Sequence, residues 1–241
     1  MNVLVEFSIK KKSRKEDENE DAYALNHEKD VFAIADGVST SPASKLWSKF
    51  IVEKFIESSE NLKEPNSIYS WLENVQKESL PEFQKYSSEK IKSEFIKDRL
   101  EEEGTATTFL GGKIDRKEGK KLHVYAVGDS NMFILRKNRI IDSFPIDLSG
   151  TYSDSTHAIF SIKKNDGNES FSSKTFQLIK NDIIILATDA LAKWITDSSN
   201  LGQKPWNKIL KNKNSTEKFI EELRTKNKID DDDTTCMILQ I

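Results

Sequence analysis

Apolar residues of this chain follow two spacings, one typical of strands and one typical of helices. Near the N-terminus, Val3, Val5, Phe7 and Ile9 alternate with other residues, as in a half-buried strand. Short runs rich in Val, Ile and Phe recur later and predict further strands. These predicted strands cover residues 31–36, 106–110, 122–127, 132–135, 140–141, 175–178 and 183–188, with a last strand that ends at Leu239.

Helical spacing appears in two separate parts of the chain. Ser41 and Pro42 predict a helix start, because serine caps helices and proline suits the first helical position. A longer helical stretch covers residues 67–103, and we expect it to break at Pro81 and to end at Gly104. Shorter helices are predicted at 191–195, about 206–210 and 217–223.

The order of these elements predicts an α+β protein. Helices lie in two groups between groups of strands, and the short connections between strands favour antiparallel hairpins over helical crossovers. We find no internal repeat and no obvious linker, so residues 1–241 are expected to form a single domain. Residues 150–174 are polar and predict a long variable loop.

Composition narrows the functional classes. A net charge of -3 argues against a general nucleic-acid or membrane-surface binder. No apolar segment approaches the roughly 20 residues of a membrane span, and the N-terminus lacks a secretory signal. The single cysteine, Cys236, is expected to be a core residue. We therefore expect a monomeric protein of the cytoplasm that binds neither nucleic acid nor membrane.

Four aspartates stand at the ends of apolar runs. Asp36 and Asp189 each follow a predicted strand and precede a predicted helix, Asp129 lies in a tight turn, and Asp232 precedes the last strand. Each one alone is explained by the frequent use of aspartate in turns and caps. Together they predict a cation site, because clustered carboxylates repel unless cations lie between them. Hard oxygen ligands favour Mg²⁺ or Mn²⁺.

An ordered series of short motifs accompanies these aspartates. The series is Asn19-Glu-Asp-Ala-Tyr, Ala35-Asp-Gly-Val, Gly104-Thr-Ala-Thr-Thr, Val127-Gly-Asp-Ser, Leu186-Ala-Thr-Asp-Ala-Leu and Asp232-Asp-Thr-Thr. In order and spacing it resembles the motif string of the metal-dependent protein phosphatases, the type 2C family. The resemblance implies a four-layer sandwich of two antiparallel β-sheets flanked by helices. It also implies hydrolysis of phosphoserine and phosphothreonine by a water held between two Mn or Mg ions.

The resemblance assigns most ligands of the first metal. Asp36 is implied to bridge the two ions, and Gly37 to contribute its backbone carbonyl. Asp189 and Asp232 are implied to hold the first ion. Asp36 and Asp189 are the residues expected to act in catalysis, through the water on the metals. The acidic run at 230–233 also allows Asp231, although the match at Thr235 favours Asp232.

Further residues are implied at the second metal and beyond. Asp21 is expected to hold the second ion, and Glu20 to act there through a water. Asp129, together with Asp189, matches the position of a weaker third metal in the family. The expected partner is a phosphorylated protein, the target of a Ser/Thr kinase.

Departures from the family pattern keep other functions open. Glu16 stands where many members carry a phosphate-gripping arginine, so Arg14 is the expected substitute, with Lys15 as the alternative. Val38 stands where some relatives have a histidine, and Ala190 replaces a usual glycine, which is tolerable if φ is negative there. The alternative from another class is a catalytically weak binding module that recognises a phosphoprotein or a regulatory partner. A third possibility is an anti-sigma-factor-directed phosphatase of the same fold.

Overall fold

Twelve strands and six helices are seen in the computed structural model, which describes residues 1–13, 18–59, 62, 67–117, 119–152, 157–162 and 171–241. The strands are β1 (Asn2–Ile9), β2 (Asp21–Asn26), β3 (Val31–Asp36), β4 (Ala106–Thr107), β5 (Phe109–Asp115), β6 (Lys121–Val127), β7 (Asn131–Arg136), β8 (Arg139–Phe144), β9 (Ile159–Phe160), β10 (Ser172–Gln177), β11 (Ile183–Ala187) and β12 (Thr234–Gln240). The helices are α1 (Ser44–Ser58), α2 (Ser67–Lys90), α3 (Glu94–Glu102), α4 (Asp189–Asn200), α5 (Pro205–Lys211) and α6 (Thr216–Thr225).

Two five-stranded antiparallel sheets form the centre of the molecule. The first sheet has the order β1-β12-β11-β7-β8, and the second has the order β10-β6-β5-β3-β2. Strands β4 and β9 form a separate two-stranded sheet. The short connections thus give antiparallel pairs, as predicted. Within the residues that the structure describes, no helix has both the length and the apolar character that a membrane crossing requires.

Successive side chains along each strand point to opposite faces of the sheet, so the core forms separate layers. In β11, Ile184 and Leu186 point between the two sheets, whereas Ile185 and Ala187 point toward helices α4–α6. In the second sheet, Phe32 faces the first sheet and the neighbouring Val31 faces helices α1–α3. Each sheet is therefore buried on both faces, and the predicted four-layer α+β sandwich is confirmed.

The tryptophans and the cysteine are core residues, as their apolar surroundings in sequence predict. Trp47, Trp71, Trp194 and Trp206 are all buried, and Cys236 has no exposed surface. The indole N–H of Trp47 donates a hydrogen bond of 2.9 Å to a backbone carbonyl, so its burial leaves no unpaired donor.

The predicted break at Pro81 is wrong. Helix α2 continues through this residue to Lys90, and the chain leaves the helical conformation only at residues 91–93. Pro81 and Lys77, the residue whose carbonyl loses its hydrogen bond, both lie on the exposed side of the helix. Water can therefore replace the missing partner. The end at Gly104 agrees with its left-handed φ of 71°.

The predicted start of α1 is also wrong. The helix begins at Ser44 after Ala43 in a left-handed conformation, and no side chain caps it. Ser44 instead donates its hydroxyl to the Glu20 carboxylate, so a side chain at the helix start serves a tertiary contact. Within the predicted loop at 150–174, residues 153–156 and 163–170 lie outside the described part of the chain, and the described residues include strand β9 and the first residues of β10.

Candidate functional site

Strand pairing brings the predicted carboxylates to one end of the two sheets. Asp21, the first residue of β2, pairs with Asp36, the last residue of β3. Asp189 begins helix α4 directly after β11. The Thr188 hydroxyl donates to Asp21 Oδ2 at 3.0 Å and accepts the backbone N–H of Thr235 at 2.9 Å. These two hydrogen bonds tie Asp21 in one sheet to the strand ends of the other.

Asp36 lies at the centre of the acidic group. Its pKa is raised well above the ordinary value, first by burial and then by the negative charges of Asp21, Asp189, Asp232 and Asp129. Four carboxylates are thus close enough to oppose the ionisation of a fifth. We use "acidic cluster" for these five aspartates.

The buried members of the acidic cluster resist ionisation for the same reasons. Burial is the largest cause that raises the pKa of Asp21 to about 8, against the hydrogen bonds from Thr235 and Thr188. Burial and the charge of Asp129 raise the pKa of Asp189 to about 7, although the Ala190 N–H donates to its Oδ1 at 2.6 Å. Asp21 Oδ1 is buried without a hydrogen-bond partner among the described residues. A buried acceptor of this kind requires a partner, which a water or a cation can supply.

Ala190 occupies its position without strain. It is the second residue of α4 and does not belong to the residues with positive φ. The expectation that an alanine is tolerated there is confirmed.

Glu20 is held by hydroxyl groups. Ser44 donates to its Oε1 at 2.5 Å and Ser39 to its Oε2 at 2.7 Å. The backbone carbonyl of Glu20 accepts the N–H of Gly37 at 3.2 Å. A Cβ at Gly37 would stand 2.9 Å from that carbonyl oxygen and 3.0 Å from Ser44 Cβ. Only glycine allows this close approach.

The aspartates of the acidic run at 230–233, just before β12, contact different partners. Asp232 raises the pKa of both Asp36 and Asp189, while Asp231 accepts the N–H of Lys12 at 3.2 Å. Asp233 is buried, and its two carboxylate oxygens accept the N–H of Lys11 at 2.8 Å and that of Glu20 at 2.9 Å. Asp232 is the member of this run whose charge acts on Asp36, although the charge of Asp233 raises the pKa of Asp21 and that of Asp230 raises the pKa of Asp189.

Lys11 is a cation that the sequence analysis did not place here. Its Nζ lies 2.9 Å from Asp232 Oδ1 and 3.2 Å from Ser39 Oγ, and its side chain is only 15% exposed. It follows β1, whose Ile9 pairs with Thr234 at the start of β12. The sequence signal is weak because it depends on knowing that the first and last strands are neighbours. Arg14, the predicted phosphate ligand, lies outside the described residues.

The carboxylates do not form a closed coordination set. Within the part of the chain that the structure describes, no three or more His, Cys, Asp or Glu side chains are arranged to hold a metal ion. In this arrangement, Asp232 accepts the Lys11 ammonium and Asp21 Oδ2 accepts the Thr188 hydroxyl. The carboxylate ligands and their raised pKa values nevertheless fit a hard divalent cation. Such an ion would offset both the repulsion between the carboxylates and the cost of burying their charges.

The amino-acid sequence matches one known protein family. The profile of the protein phosphatase 2C family matches residues 10–231. The chain belongs to the protein phosphatase 2C family. The match contains Asp21, Asp36, Asp129 and Asp189 and ends one residue before Asp232. No curated protein sequence matches the chain at a significant level.

Solved structures show the same fold at low sequence identity. PppA, a key regulatory component of T6SS in Pseudomonas aeruginosa, is similar with a TM-score of 0.63 and 16% identity, over 98% of this chain and 96% of that chain. The Mycobacterium tuberculosis serine/threonine phosphatase PstP/Ppp has a TM-score of 0.62 and 13% identity, over 98% and 97%. The catalytic domain of PstP in complex with two manganese ions has a TM-score of 0.59 and 14% identity, over 97% and 95%. This protein phosphatase 2C fold thus spans the whole chain.

Proposed function

We propose that this chain is a metal-dependent phosphatase that hydrolyses phosphoserine and phosphothreonine in proteins. The observation that carries the proposal is the raised pKa of three buried aspartates at one end of the sandwich, Asp21, Asp36 and Asp189. Burial and mutual repulsion disfavour the ionised forms of these carboxylates unless cations lie among them. Family membership adds the reaction type.

Two Mn²⁺ or Mg²⁺ ions fit the donors at this site. Asp36 and the Gly37 carbonyl would serve both ions, Asp189 and Asp232 would hold the first ion, and Asp21 would hold the second. Glu20 would act through a water, since both of its carboxylate oxygens already accept serine hydroxyls. Asp129 would join Asp189 at a weaker third ion, consistent with its effect on the pKa of Asp189.

Such ions, when bound, would supply a water of lowered pKa and would offset negative charge on the phosphoryl oxygens. The residues around the site position the carboxylates that would bind the ions. Thr188 orients the Asp21 carboxylate, the N–H of Ala190 orients that of Asp189, and the hydroxyls of Thr107 and Thr108 bond the backbone of Asp36. These contacts fix the donors before substrate arrives, so little reorganisation accompanies the reaction.

Lys11 is the described cation that we propose for the substrate phosphate. Its ammonium lies at the edge of the acidic cluster and reaches Asp232. If Asp232 held a divalent ion, the Lys11 ammonium would be available to bind a phosphate oxygen. Arg14 remains a prediction for the same role.

Hydrolysis of p-nitrophenyl phosphate tests the proposal. We expect Mn²⁺-dependent activity that EDTA removes, and a loss of roughly a hundredfold or more in Asp36→Asn and in Asp189→Asn. Asp98→Asn, an exposed change on α3, is the matched control and should keep full activity. Phosphoserine and phosphothreonine peptides should be hydrolysed in preference to phosphotyrosine peptides. Unchanged turnover in both site variants would remove the assignment.

The binding module is the second candidate, favoured by the absence of a closed coordination set in the described residues and by the Lys11–Asp232 ion pair. Calorimetric titration with Mn²⁺ separates the two. A module without metal function should give no binding heat, whereas the phosphatase should bind ions and lose that binding in Asp36→Asn.

A monomeric state and a cytoplasmic location belong to the same proposal, and size-exclusion chromatography with light scattering checks the first.

A further inference from the structure

A groove on the helical layer lies apart from the acidic cluster. It is a cavity of about 740 Å³ between α4, α5, α6 and the residues after α6. Its size is within the range of roughly 300–1,000 Å³ that ligand sites occupy. The chain is described throughout this region, from residue 171 to residue 241.

The groove has an apolar base. Trp194 and Phe219 contact each other edge to face with ring centroids 6.0 Å apart, and Leu223 packs in the same core. Leu201 borders the groove and is 77% exposed. A large apolar side chain so open to water gains from a partner that covers it.

The border of the groove is positively charged. Residues 201–228 contain eight basic and three acidic side chains, although the whole chain has a net charge of -3. Four of the lysines line the groove: Lys208, Lys211, Lys226 and Lys228. Within the part of the chain that is described, only Lys226 of these four forms an ion pair, with Glu222 at 3.5 Å. The Lys-rich stretch at 204–213, whose simplest interpretation is a solvated helix face, thus forms one wall of a cavity.

The groove and the acidic cluster share two segments of chain. Helix α4 begins at Asp189 and reaches the groove at Trp194 and Asp197, about 12 Å along its axis from Asp189 to Asp197. The segment after α6 lines the groove with Lys228 and continues to Asp232. One extended peptide could contact both places with roughly four to six residues between its two contact points.

We propose that this groove docks an acidic segment of the phosphoprotein substrate, with a leucine or phenylalanine on the apolar base and Asp or Glu side chains facing the four lysines. The proposal rests on the proposed phosphatase function for the identity of its partner. The groove would then select substrates in which such a segment lies roughly four to six residues from the phosphorylated residue.

The structure favours an acidic peptide over other polyanions. Asp197 and Glu222 also line the groove and interrupt its positive border, so a peptide that mixes acidic and apolar residues suits it better than a nucleic acid with a charge at every phosphate. The apolar base is recessed between helices, so a flat anionic membrane would not reach it. A peptide with one apolar residue between acidic ones satisfies both the base and the border.

Binding of a labelled peptide tests the groove without turnover. The probe is fluorescein-labelled Glu-Asp-Leu-Phe-Glu-Asp, measured by anisotropy in EDTA, with a dissociation constant expected on the order of 0.1 mM. The double variant Lys208→Glu/Lys226→Glu should weaken binding roughly tenfold or more. Lys213→Glu/Lys218→Glu, with the same charge change on exposed lysines that do not line the groove, should change it less than about twofold.

Each other outcome overturns the proposal. No saturable binding, or equal weakening in both double variants, would show that no specific peptide site exists. Stronger binding of a single-stranded oligonucleotide or of anionic vesicles that also depends on Lys208 and Lys226 would assign the groove to another class of partner.

Turnover measurements test the link to catalysis. With phosphothreonine peptides that carry the acidic segment on either side, Lys208→Glu/Lys226→Glu should raise KM, while hydrolysis of p-nitrophenyl phosphate stays unchanged. If the wild-type chain binds the probe but hydrolyses neither substrate, the phosphatase proposal fails and the groove remains a peptide site. If it hydrolyses both substrates with the same KM in both double variants, the docking proposal fails alone.

Discussion

Asp21 shows how a single carboxylate can make stability depend on pH. Burial raises its pKa from the ordinary value of 3.8 to about 8, so the folded protein binds this proton more tightly than the unfolded chain does. The resulting stabilisation is fully present below pH 3.8 and is lost as the pH rises through about 8. Without divalent cations, Asp21 therefore favours unfolding in alkaline solution.

Asp21→Asn should stabilise the metal-free protein at high pH. The amide carries no charge to bury, and its oxygen can still accept the Thr188 hydroxyl. We expect a gain of about 1–3 kcal/mol at pH 8.5 and a smaller gain at pH 5.5, because the unfolded carboxyl already ionises above pH 3.8. Urea unfolding in EDTA at the two pH values measures it. Asp98→Asn is the control, and a loss of stability in Asp21→Asn at both pH values would contradict the account.

Lys11→Met should weaken phosphate recognition. Methionine keeps most of the side-chain length but removes the ammonium that reaches Asp232. We expect inhibition by inorganic phosphate to weaken about fivefold to tenfold and KM for a phosphopeptide to rise similarly. Lys12→Met removes a neighbouring, more exposed ammonium that pairs with Glu221 and should leave both values unchanged. Identical behaviour of the two variants would exclude a specific role for Lys11.

At the scale of elements, Arg224 connects α6 to both strands that end at the site. Its guanidinium donates to the backbone carbonyls of Lys10 at 2.9 Å and of Asp232 at 2.6 Å, and to the Thr234 hydroxyl at 3.1 Å. The side chain is only 2% exposed. One cation thus holds the end of β1 and the segment that carries Asp232 against α6.

Arg224→Met should therefore loosen the segment before β12. Removal of the guanidinium leaves buried carbonyls without donors, so we expect a loss of about 2–4 kcal/mol in the free energy of unfolding. Hydrogen exchange at residues 230–233 should become faster than elsewhere. Arg99→Met, which removes an exposed pair with Glu103, should change stability by no more than about 0.5 kcal/mol. Uniform acceleration of exchange along the chain would point to general destabilisation instead.

Strands could be predicted from sequence where the spacing of their apolar residues reflects burial. The alternation in β1 and the apolar run of β11 are visible in sequence because each face of the strand meets a core. The start of α1 and the continuation through Pro81 were not predictable. Ser44 is used by Glu20 across the molecule, and Pro81 is tolerated because its side of the helix is exposed. Both outcomes depend on tertiary surroundings that local propensity does not contain.

At the scale of the whole molecule, the acidic cluster lies where the two sheets meet. Asp21 and Asp36 belong to one sheet, whereas Asp189 and Asp232 adjoin β11 and β12 of the other. The motif order in sequence could indicate that these residues belong together. The neighbours that complete the site, Lys11 and Asp233, depend on the pairing of the first strand with the last, which sequence spacing does not reveal.

Mn²⁺ should therefore stabilise the entire fold. An ion that binds only the folded chain at a concentration of 100 times its dissociation constant adds about 2.7 kcal/mol, and here it would join both sheets. We expect the thermal midpoint to rise with Mn²⁺ concentration, and to rise more at pH 8 than at pH 6, because protons compete with the metal for Asp21 and Asp189. Differential scanning calorimetry measures both trends. Asp36→Asn should abolish the shift while Asp98→Asn keeps it, and an equal shift in the two variants would mean that Mn²⁺ stabilises the fold from another place.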